Sequence, residues 1–338
     1  MRPLALLSTV AALSLALPGF AQYKILSTTK VGGEGGFDYV NADSAARRLY
    51  VARSGPAGHI MVFDLDTLKQ VGDIANVNAH GVAVDAKSHM GFATSKPVSM
   101  FDAKTLGGVK ALTTEGSPDG LQADPEAGHV YILSHSAPNL TVLNGKDGAV
   151  LGTVDLGGAP EQAALDGKGH MYIDLEDKGS IAVVDTKTMK LTATYDLHGK
   201  GGTCAGLAVD SKHGILFAAC RNPQTMVMLD AKDGKILETL PLGMGTDGAV
   251  FNPKTMEAFS SQGDGTLTII KENSPTSFVV EQTLTTLPRA KTLTLDEKTG
   301  HLILITAEFA PPPPTAPGER PARGAMIPGT FTLLVVGK

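Results

Sequence analysis

The 338-residue sequence contains few cysteines, no excess of basic residues and, beyond its N-terminus, no long apolar run. Two cysteines are too few for a scaffold of disulfides, so a hydrophobic core must stabilise the fold. Asp and Glu number 34 against 29 Lys and Arg, which are spread singly, so we expect no nucleic-acid partner. We also expect no membrane span after the N-terminus.

The N-terminus has the layout of a secretory signal. Arg2 gives a positive start, residues 4–17 are mostly apolar, and small residues lead up to Ala21. The apolar part is shorter than a typical membrane-spanning helix. A lipoprotein would have cysteine directly after the cleavage point, where this sequence has Gln22. We therefore predict a signal peptide over residues 1–21 and export of residues 22–338 to the periplasm or the medium.

After this segment the chain repeats one pattern seven times. An apolar stretch ends in Asp or Asn, a turn follows, and a second apolar or aromatic stretch comes next. The Asp and Asn positions are Asp43, Asp85, Asp124, Asp166, Asp210, Asn252 and Asp296. Their spacing of 39 to 44 residues, with four short strands per unit, is typical of β-propellers. The sequence predicts an all-β fold, a seven-bladed β-propeller of four-stranded antiparallel blades, in one domain over residues 22–338.

The two ends of the chain complement each other. The seventh unit has three strands and then stops, whereas residues 23–31 form a strand that belongs to no other unit. Pairing this strand with the last one would leave no free sheet edge there. We therefore predict that the N-terminal strand closes the last blade.

Two units resemble a known family. Residues 49–55 read Leu-Tyr-Val-Ala-Arg-Ser-Gly, with Val-Phe-Asp at 62–64 and then Thr67, and residues 181–188 give a second match. They resemble the YVTN repeat of YncE-like exported bacterial propellers, over nearly all of residues 22–338. This resemblance implies the fold but no particular activity. Quinoprotein dehydrogenases share the strand order but usually carry tryptophan docking motifs, and with no tryptophan here we do not expect PQQ.

In a propeller, the starts of the first strands and the loops after the second strands meet at one face, where ligands tend to bind. The residues five positions before the repeated Asp or Asn are Asp38, His80, Asp119, Glu161, Ala205, Asp247 and Lys291. The loops after the second strands supply Arg53, Lys96, His135, Glu176, Asp177, Arg221, Asn222 and Asp264. The predicted ligand-binding residues are Asp38, His80, Asp119, Glu161, Asp247, Lys291, Arg53, His135 and Arg221.

Three interpretations of this ring remain open. The polar residues satisfy backbone groups and channel water, or they bind a small molecule or peptide, or some of them bind a metal. Asp38, His80 and Asp119 fall on three successive blades and offer mixed oxygen and nitrogen ligands for a divalent metal ion. No His-x-His, Gly-x-Ser-x-Gly, phosphate-loop or Cys-x-x-Cys motif is present, so no catalytic residue is predicted.

The function expected from these features is binding. We predict a monomeric, exported scaffold that binds a small molecule, a protein or a peptide through its polar channel mouth. The alternative is a metal-assisted hydrolase or lyase that acts on a small molecule at the same mouth. The sequence leaves open whether the protein is an enzyme and which cofactor, beyond a divalent metal, it would use.

Two further features carry predictions. Cys204 begins the first strand of unit five and Cys220 ends the second, with the turn near Lys212, so the two should face each other across the hairpin. We predict a disulfide, the alternative being two buried thiols.

Residues 307–330 form a proline-rich loop insertion in the last blade. It is either a flap over the mouth, a segment that docks a partner, or a surface loop.

Overall fold

The computed structural model describes residues 22–314 and 324–338, and every regular element among them is a β-strand. None of these residues lies in a helix long and apolar enough to cross a membrane. In chain order the strands are β1 (Lys24–Lys30), β2 (Gly36–Asp43), β3 (Arg48–Ser54), β4 (His59–Asp64), β5 (Gln70–Ala75), β6 (Val82–Asp85), β7 (Met90–Ala93), β8 (Val98–Asp102), β9 (Lys110–Leu112), β10 (Pro118–Asp124), β11 (His129–Ser134), β12 (Leu140–Asn144), β13 (Val150–Val154), β14 (Pro160–Leu165), β15 (His170–Leu175), β16 (Ser180–Asp185), β17 (Lys190–Asp196), β18 (Cys204–Asp210), β19 (Ile215–Arg221), β20 (Gln224–Asp230), β21 (Ile236–Pro241), β22 (Thr246–Asn252), β23 (Glu257–Gln262), β24 (Thr266–Ser274), β25 (Ser277–Thr285), β26 (Thr292–Asp296), β27 (His301–Thr306) and β28 (Thr332–Gly337).

The strands form seven four-stranded antiparallel sheets, which are the predicted blades of a β-propeller. Blades one to six comprise β2–β5, β6–β9, β10–β13, β14–β17, β18–β21 and β22–β25. Blade seven has the order β1-β28-β27-β26, with Lys24 paired to Gly337 and Lys30 to Thr332. The prediction that the N-terminal strand closes the last blade is therefore confirmed. The first strands of adjacent blades contact one another around the ring, so they surround the central channel.

The repeated Asp and Asn residues fix one end of each first strand. Asp43 Oδ1 accepts the backbone N–H groups of Ala45 at 3.1 Å and Ala46 at 2.9 Å, and Asp124 makes the same kind of turn in blade three. Such side-chain turns satisfy backbone donors that leave the sheet. A residue five positions earlier lies roughly 16 Å along the strand, at the opposite face. This spacing places the polar residues predicted from the sequence at the mouth.

Apolar side chains pack between adjacent blades. Tyr50 and Ile60 of blade one pack with Val82 and Phe101 of blade two, and similar clusters follow around the ring. The cluster between blades seven and one, which includes Phe331, makes the ring continuous. Because both faces of the middle strands are buried, they are rich in β-branched and aromatic residues.

A disulfide joins the first two strands of blade five. Cys204 of β18 is paired with Cys220 of β19, and their Sγ atoms are bonded. Both residues are buried in the cluster that also holds Tyr172 and Leu207. The bond therefore fastens this hairpin at the end nearer the mouth.

The described ends of the proline-rich insertion lie beside the mouth. Phe309 and Met326 form an isolated antiparallel bridge that brings the two ends together. The ring of Phe309 lies 6.3 Å from that of Phe37, which precedes Asp38 in β2. The centre of the proline-rich insertion, residues 315–323, lies outside the described residues, so the choice between a flap, a docking segment and a surface loop stays a prediction.

Candidate functional site

Five of the predicted residues gather on one side of the mouth and are called the acidic arc, namely Asp38, His80, Asp119, His135 and Glu161. His80 Nδ1 lies 3.5 Å from Asp38 Oδ2 and 3.4 Å from Asp119 Oδ1. His135 Nε2 lies 3.7 Å from Asp119 Oδ2 and 4.0 Å from Glu161 Oε1. These separations exceed the usual length of an N–H···O hydrogen bond. Asp119 stands at the centre, with one carboxylate oxygen towards each histidine.

The pKa values of three groups in the acidic arc are raised. Burial raises the pKa of Asp119, and the Asp38 carboxylate raises it further. Burial, with the negative charges of Glu176 and Asp119, raises the pKa of Glu161 to about 8, although Arg221 opposes the change. The contact with Asp38 raises the pKa of His80 despite its partial burial. Burial and like charges disfavour the ionised form of a carboxyl, whereas a neighbouring carboxylate favours the charged form of a histidine.

Two residues of this region were missed by the sequence reasoning. The Tyr39 hydroxyl donates towards Asp119 Oδ2 at 3.3 Å and towards Glu161 Oε2 at 3.4 Å. Asp174 of β15 is fully buried, and neither of its carboxylate oxygens has a hydrogen-bond partner among the described residues. Burial and the charge of Glu161 hold the pKa of Asp174 well above its ordinary value.

The sequence did contain a signal for Asp174. It follows Tyr172 by two positions, and the matching buried positions of the other six blades hold Ala52, Thr94, Leu133, Ala219, Ser261 and Ile305. A carboxyl group at a buried position that is uncharged in the other six blades is unusual. Tyr39, in contrast, lies next to Asp38 in a strand that reads like the others, and no comparable signal marks it.

The other side of the mouth, the basic arc, consists of Arg221, Asp247 and Lys291. Arg221 Nη2 and Lys291 Nζ both contact the Asp247 carboxylate. Arg221 also lies 3.5 Å from Glu176 Oε2 and donates from Nε to the carbonyl of Thr246 at 2.9 Å. The charges of this arc are therefore largely paired with one another, which distinguishes it from the acidic arc.

Arg53, another predicted ligand-binding residue, is fully buried in blade one. It donates to the carbonyl of Gly35 at 2.8 Å and to those of Gly32 and Gly36 at 3.3 and 3.2 Å. Its guanidinium carbon lies 4.0 Å from the centre of the Phe331 ring, and burial lowers its pKa to about 10. In this position Arg53 holds the loop before β2 and presents no charge to the mouth.

An apolar pocket of about 350 Å³ reaches Lys291 of the basic arc. Phe37, Phe309 and Met326 line it together with Arg289 and Lys291. The Arg289 guanidinium carbon lies 4.1 Å from the centre of the Phe309 ring. Phe37 and Asp38 are consecutive in β2, so the pocket and the acidic arc lie on either side of the start of this strand.

The Gln162 side chain connects first strands of neighbouring blades below the mouth. Gln162 of blade four accepts the N–H groups of Leu207 in blade five and Ala249 in blade six, each at 3.0 Å. Its Nε2 donates to the carbonyl of Ala249, also at 3.0 Å. Gln162 therefore links three blades and lies beneath Glu161, which belongs to the acidic arc.

The architecture and the clustered polar mouth define the chain as a seven-bladed β-propeller. A chain in a crystal structure of the mitotic checkpoint complex superposes with a TM-score of 0.71, covering 90% of this chain and 95% of that one, at 13% identity. At this identity the likeness shows the fold alone. No family model matches the sequence.

Within that class, the sequence is similar to YncE. The uncharacterized protein YncE of Salmonella typhi and that of Salmonella typhimurium are each 23% identical to this chain over 167 residues. The match spans 46% of this chain and 46% of each relative, so it reaches about half of their length. Together with the seven blades, this weak homology supports a YncE-like propeller.

Proposed function

We propose that this propeller is a binding protein that holds a small anionic ligand at its mouth through a divalent cation coordinated by Asp38, His80 and Asp119. The observation that carries the proposal is the convergence of one ligand atom from each residue within 4.8 Å of the others. The three residues come from three blades, so the ring brings them together.

The separations within this trio support coordination. Metal bonds of about 2.1 Å from nitrogen and oxygen ligands place tetrahedral ligand atoms about 3.4 Å apart. His80 Nδ1 lies 3.5 Å from Asp38 Oδ2 and 3.4 Å from Asp119 Oδ1, and both distances are close to that value. Imidazole with carboxylates suits zinc and manganese. The His80 side chain is 48% exposed, which leaves room for a ligand of the cation.

The neighbouring pocket supports an organic anion as the ligand. A cation on the acidic arc and the Arg289 guanidinium would both attract negative charge, while Phe37, Phe309 and Met326 offer an apolar surface. Pockets with apolar walls and a few placed polar groups are typical of small-molecule sites. The ligand class is therefore a carboxylate or phosphate that carries an apolar group.

Metal analysis tests the proposal. The protein is purified without chelators or a metal-binding tag, and bound metal is measured by elemental mass spectrometry and by zinc and manganese titration. Asp38→Asn and His80→Ala are expected to lose this ion. His170→Ala, which alters another histidine–aspartate pair in the turn between β14 and β15, at the face opposite the mouth, serves as the matched control. A wild-type protein that binds neither metal would rule the proposal out.

Export is part of the proposal. It is supported by the signal-like residues 1–21, which lie outside the described residues, and by the Cys204–Cys220 disulfide, since such bonds persist in oxidising compartments. Expression of the full sequence in a bacterial host, followed by N-terminal sequencing of the exported protein, is expected to give Gln22 as the first residue. Recovery of the uncleaved chain from the cytoplasm would contradict this.

A metal-assisted hydrolase or lyase is the second candidate. The observation in its favour is the Tyr39 hydroxyl, a hydrogen-bond donor that contacts Asp119 and Glu161 beside the proposed cation. A screen of small esters, lactones and phosphate esters with the metal-loaded protein tests it. Turnover that is lost on chelation and in Tyr39→Phe, with metal content unchanged in that variant, would favour the enzyme over the binding protein.

A further inference from the structure

We infer that the mouth holds two divalent cations, with Asp119 bridging them and the second ion bound by His135 and Glu161. This inference rests on the proposed function and extends it. The second set of ligand atoms, from Asp119, His135 and Glu161, also lies within 4.8 Å of one another. It shares only Asp119 with the first set.

The orientation of Asp119 supports a bridge. Its Oδ1 faces His80 at 3.4 Å, and its Oδ2 faces His135 at 3.7 Å, so each oxygen belongs to a different set. In two-metal sites the ions lie about 3.5–4 Å apart. A carboxylate that offers one oxygen to each ion is compatible with that separation.

Asp174 adds an independent observation, a buried carboxyl without a hydrogen-bond partner among the described residues, beside the second set of ligands. The pairing of β14 with β15 has a bulge between Pro160 and Ala163, so Glu161 and Gln162 together lie across from Asp174. Its carboxylate is fully buried and has no hydrogen-bond partner among residues 22–314 and 324–338. A buried carboxyl without a partner is costly. A cation on Glu161 would compensate this group electrostatically.

A third cluster of the same residue types is packed more closely, although Glu272 Oε2 in it is also buried without a hydrogen-bond partner among the described residues. At the opposite face His213 Nδ1 lies 2.9 Å from Asp210 Oδ2 and 2.6 Å from Glu272 Oε1. These are hydrogen-bond lengths, so the histidine itself links the two carboxylates. The longer separations in the acidic arc leave space between the groups, which is where the inferred ions lie.

Two ions at this place define the ligand more closely. The His80 and His135 side chains are 48% and 41% exposed, so both ions would face the mouth. An anion with two oxygen atoms in one group, such as a phosphate or a carboxylate, can bind both ions at once. The apolar group of that ligand would then extend into the pocket of Phe37 and Met326.

Metal stoichiometry tests the inference. Manganese titration of the chelator-treated protein is expected to give two ions per chain in the wild type and in His170→Ala. One ion should remain in His80→Ala and one in His135→Ala, and neither should be retained in Asp119→Asn. Circular dichroism and thermal unfolding check that each variant is folded.

The outcomes separate this inference from the proposed function. One ion per wild-type chain, lost in His80→Ala but kept in His135→Ala, would overturn the second ion and leave the proposed function standing. One ion that is kept in His80→Ala but lost in His135→Ala would overturn both the proposed function and this inference. The absence of any bound ion would also overturn both.

Spectroscopy gives a second measurement. Two manganese ions bridged by Asp119 should show an exchange-coupled electron paramagnetic resonance spectrum, and His135→Ala should show that of an isolated ion. Isolated-ion spectra in the fully loaded wild type would contradict the bridge. Inorganic phosphate, as a probe anion, should bind the two-ion protein at least tenfold more tightly than the loaded His135→Ala variant, measured by calorimetry.

Discussion

At the residue scale, Asp296 is a repeated turn residue that also forms an ion pair with Arg47. Asp296 begins the turn after β26 and also accepts two hydrogen bonds from the Arg47 guanidinium of blade one, at 2.6 and 2.8 Å. Burial alone would raise the pKa of Asp296, but Arg47, Thr299 and Ser44 hold it well below its ordinary value. The pair therefore stabilises the junction of blades seven and one.

This pair predicts a pH dependence of stability. Arg47→Met leaves the buried Asp296 charge unpaired, and we expect a loss of about 3 kcal/mol at pH 7. Because the folded-state pKa of Asp296 is lowered, its contribution is complete above the unfolded value of about 4 and is lost as the pH falls below it. Urea unfolding at pH 7 and at pH 3 should therefore show a smaller difference between wild type and variant at pH 3.

The matched control is Lys87→Met. It removes an ion pair with Glu126 in which both side chains are more than half exposed, and a change below about 1 kcal/mol is expected. A difference for Arg47→Met that stays constant between pH 7 and pH 3 would show that Asp296 does not carry the effect.

At the scale of the element, the hairpin of β18 and β19 depends on a covalent link as well as on its ladder. Cys204 and Cys220 are 16 residues apart, and closing a loop of this size in the unfolded chain corresponds to about 3 kcal/mol of stability. Their burial in the cluster between blades four and five adds a packing contribution. The sequence predicted this pairing because the hairpin turn lies midway between the two residues.

Removal of the disulfide provides the next prediction. The double variant Cys204→Ala, Cys220→Ala should lose about 2–4 kcal/mol in urea unfolding. Adding dithiothreitol should lower the unfolding midpoint of the wild type and leave that of the double variant unchanged. Equal sensitivity of both proteins to the reductant would contradict the assignment of the effect to this bond.

At the scale of the whole molecule, the N-terminal strand determines whether the ring is closed. Pairing of β1 with β28 is supported by Tyr23, whose ring meets that of Phe259 edge-on at 5.2 Å, and by Gln282, which hydrogen-bonds both backbone groups of Tyr23. Without β1 the backbone groups of β28 would form an exposed sheet edge. Blade seven would also lose one of its four strands.

We therefore predict that deleting residues 22–30 opens the ring. The truncated protein should unfold at a lower temperature, exchange amide hydrogens faster in blade seven, and form oligomers on size-exclusion chromatography through its exposed edge. Lys24→Gln, a substitution of an exposed residue of β1, is the control and should behave as the wild type. A monomeric deletion variant with unchanged exchange in blade seven would refute the closure as a source of stability.

The sequence by itself determined the seven blades, their closure and the ring of polar strand starts. These follow from local rules, since an Asp turn, an apolar strand and a fixed spacing recur in each unit. Only the tertiary structure decided which of these side chains meet. In the tertiary structure Arg53 is buried and hydrogen-bonds the loop before β2. Asp247 pairs with Arg221 and Lys291, and Asp119 lies between two histidines. Side-chain direction and burial depend on how neighbouring blades curve around the channel, and residue spacing along one strand carries no information about that curvature.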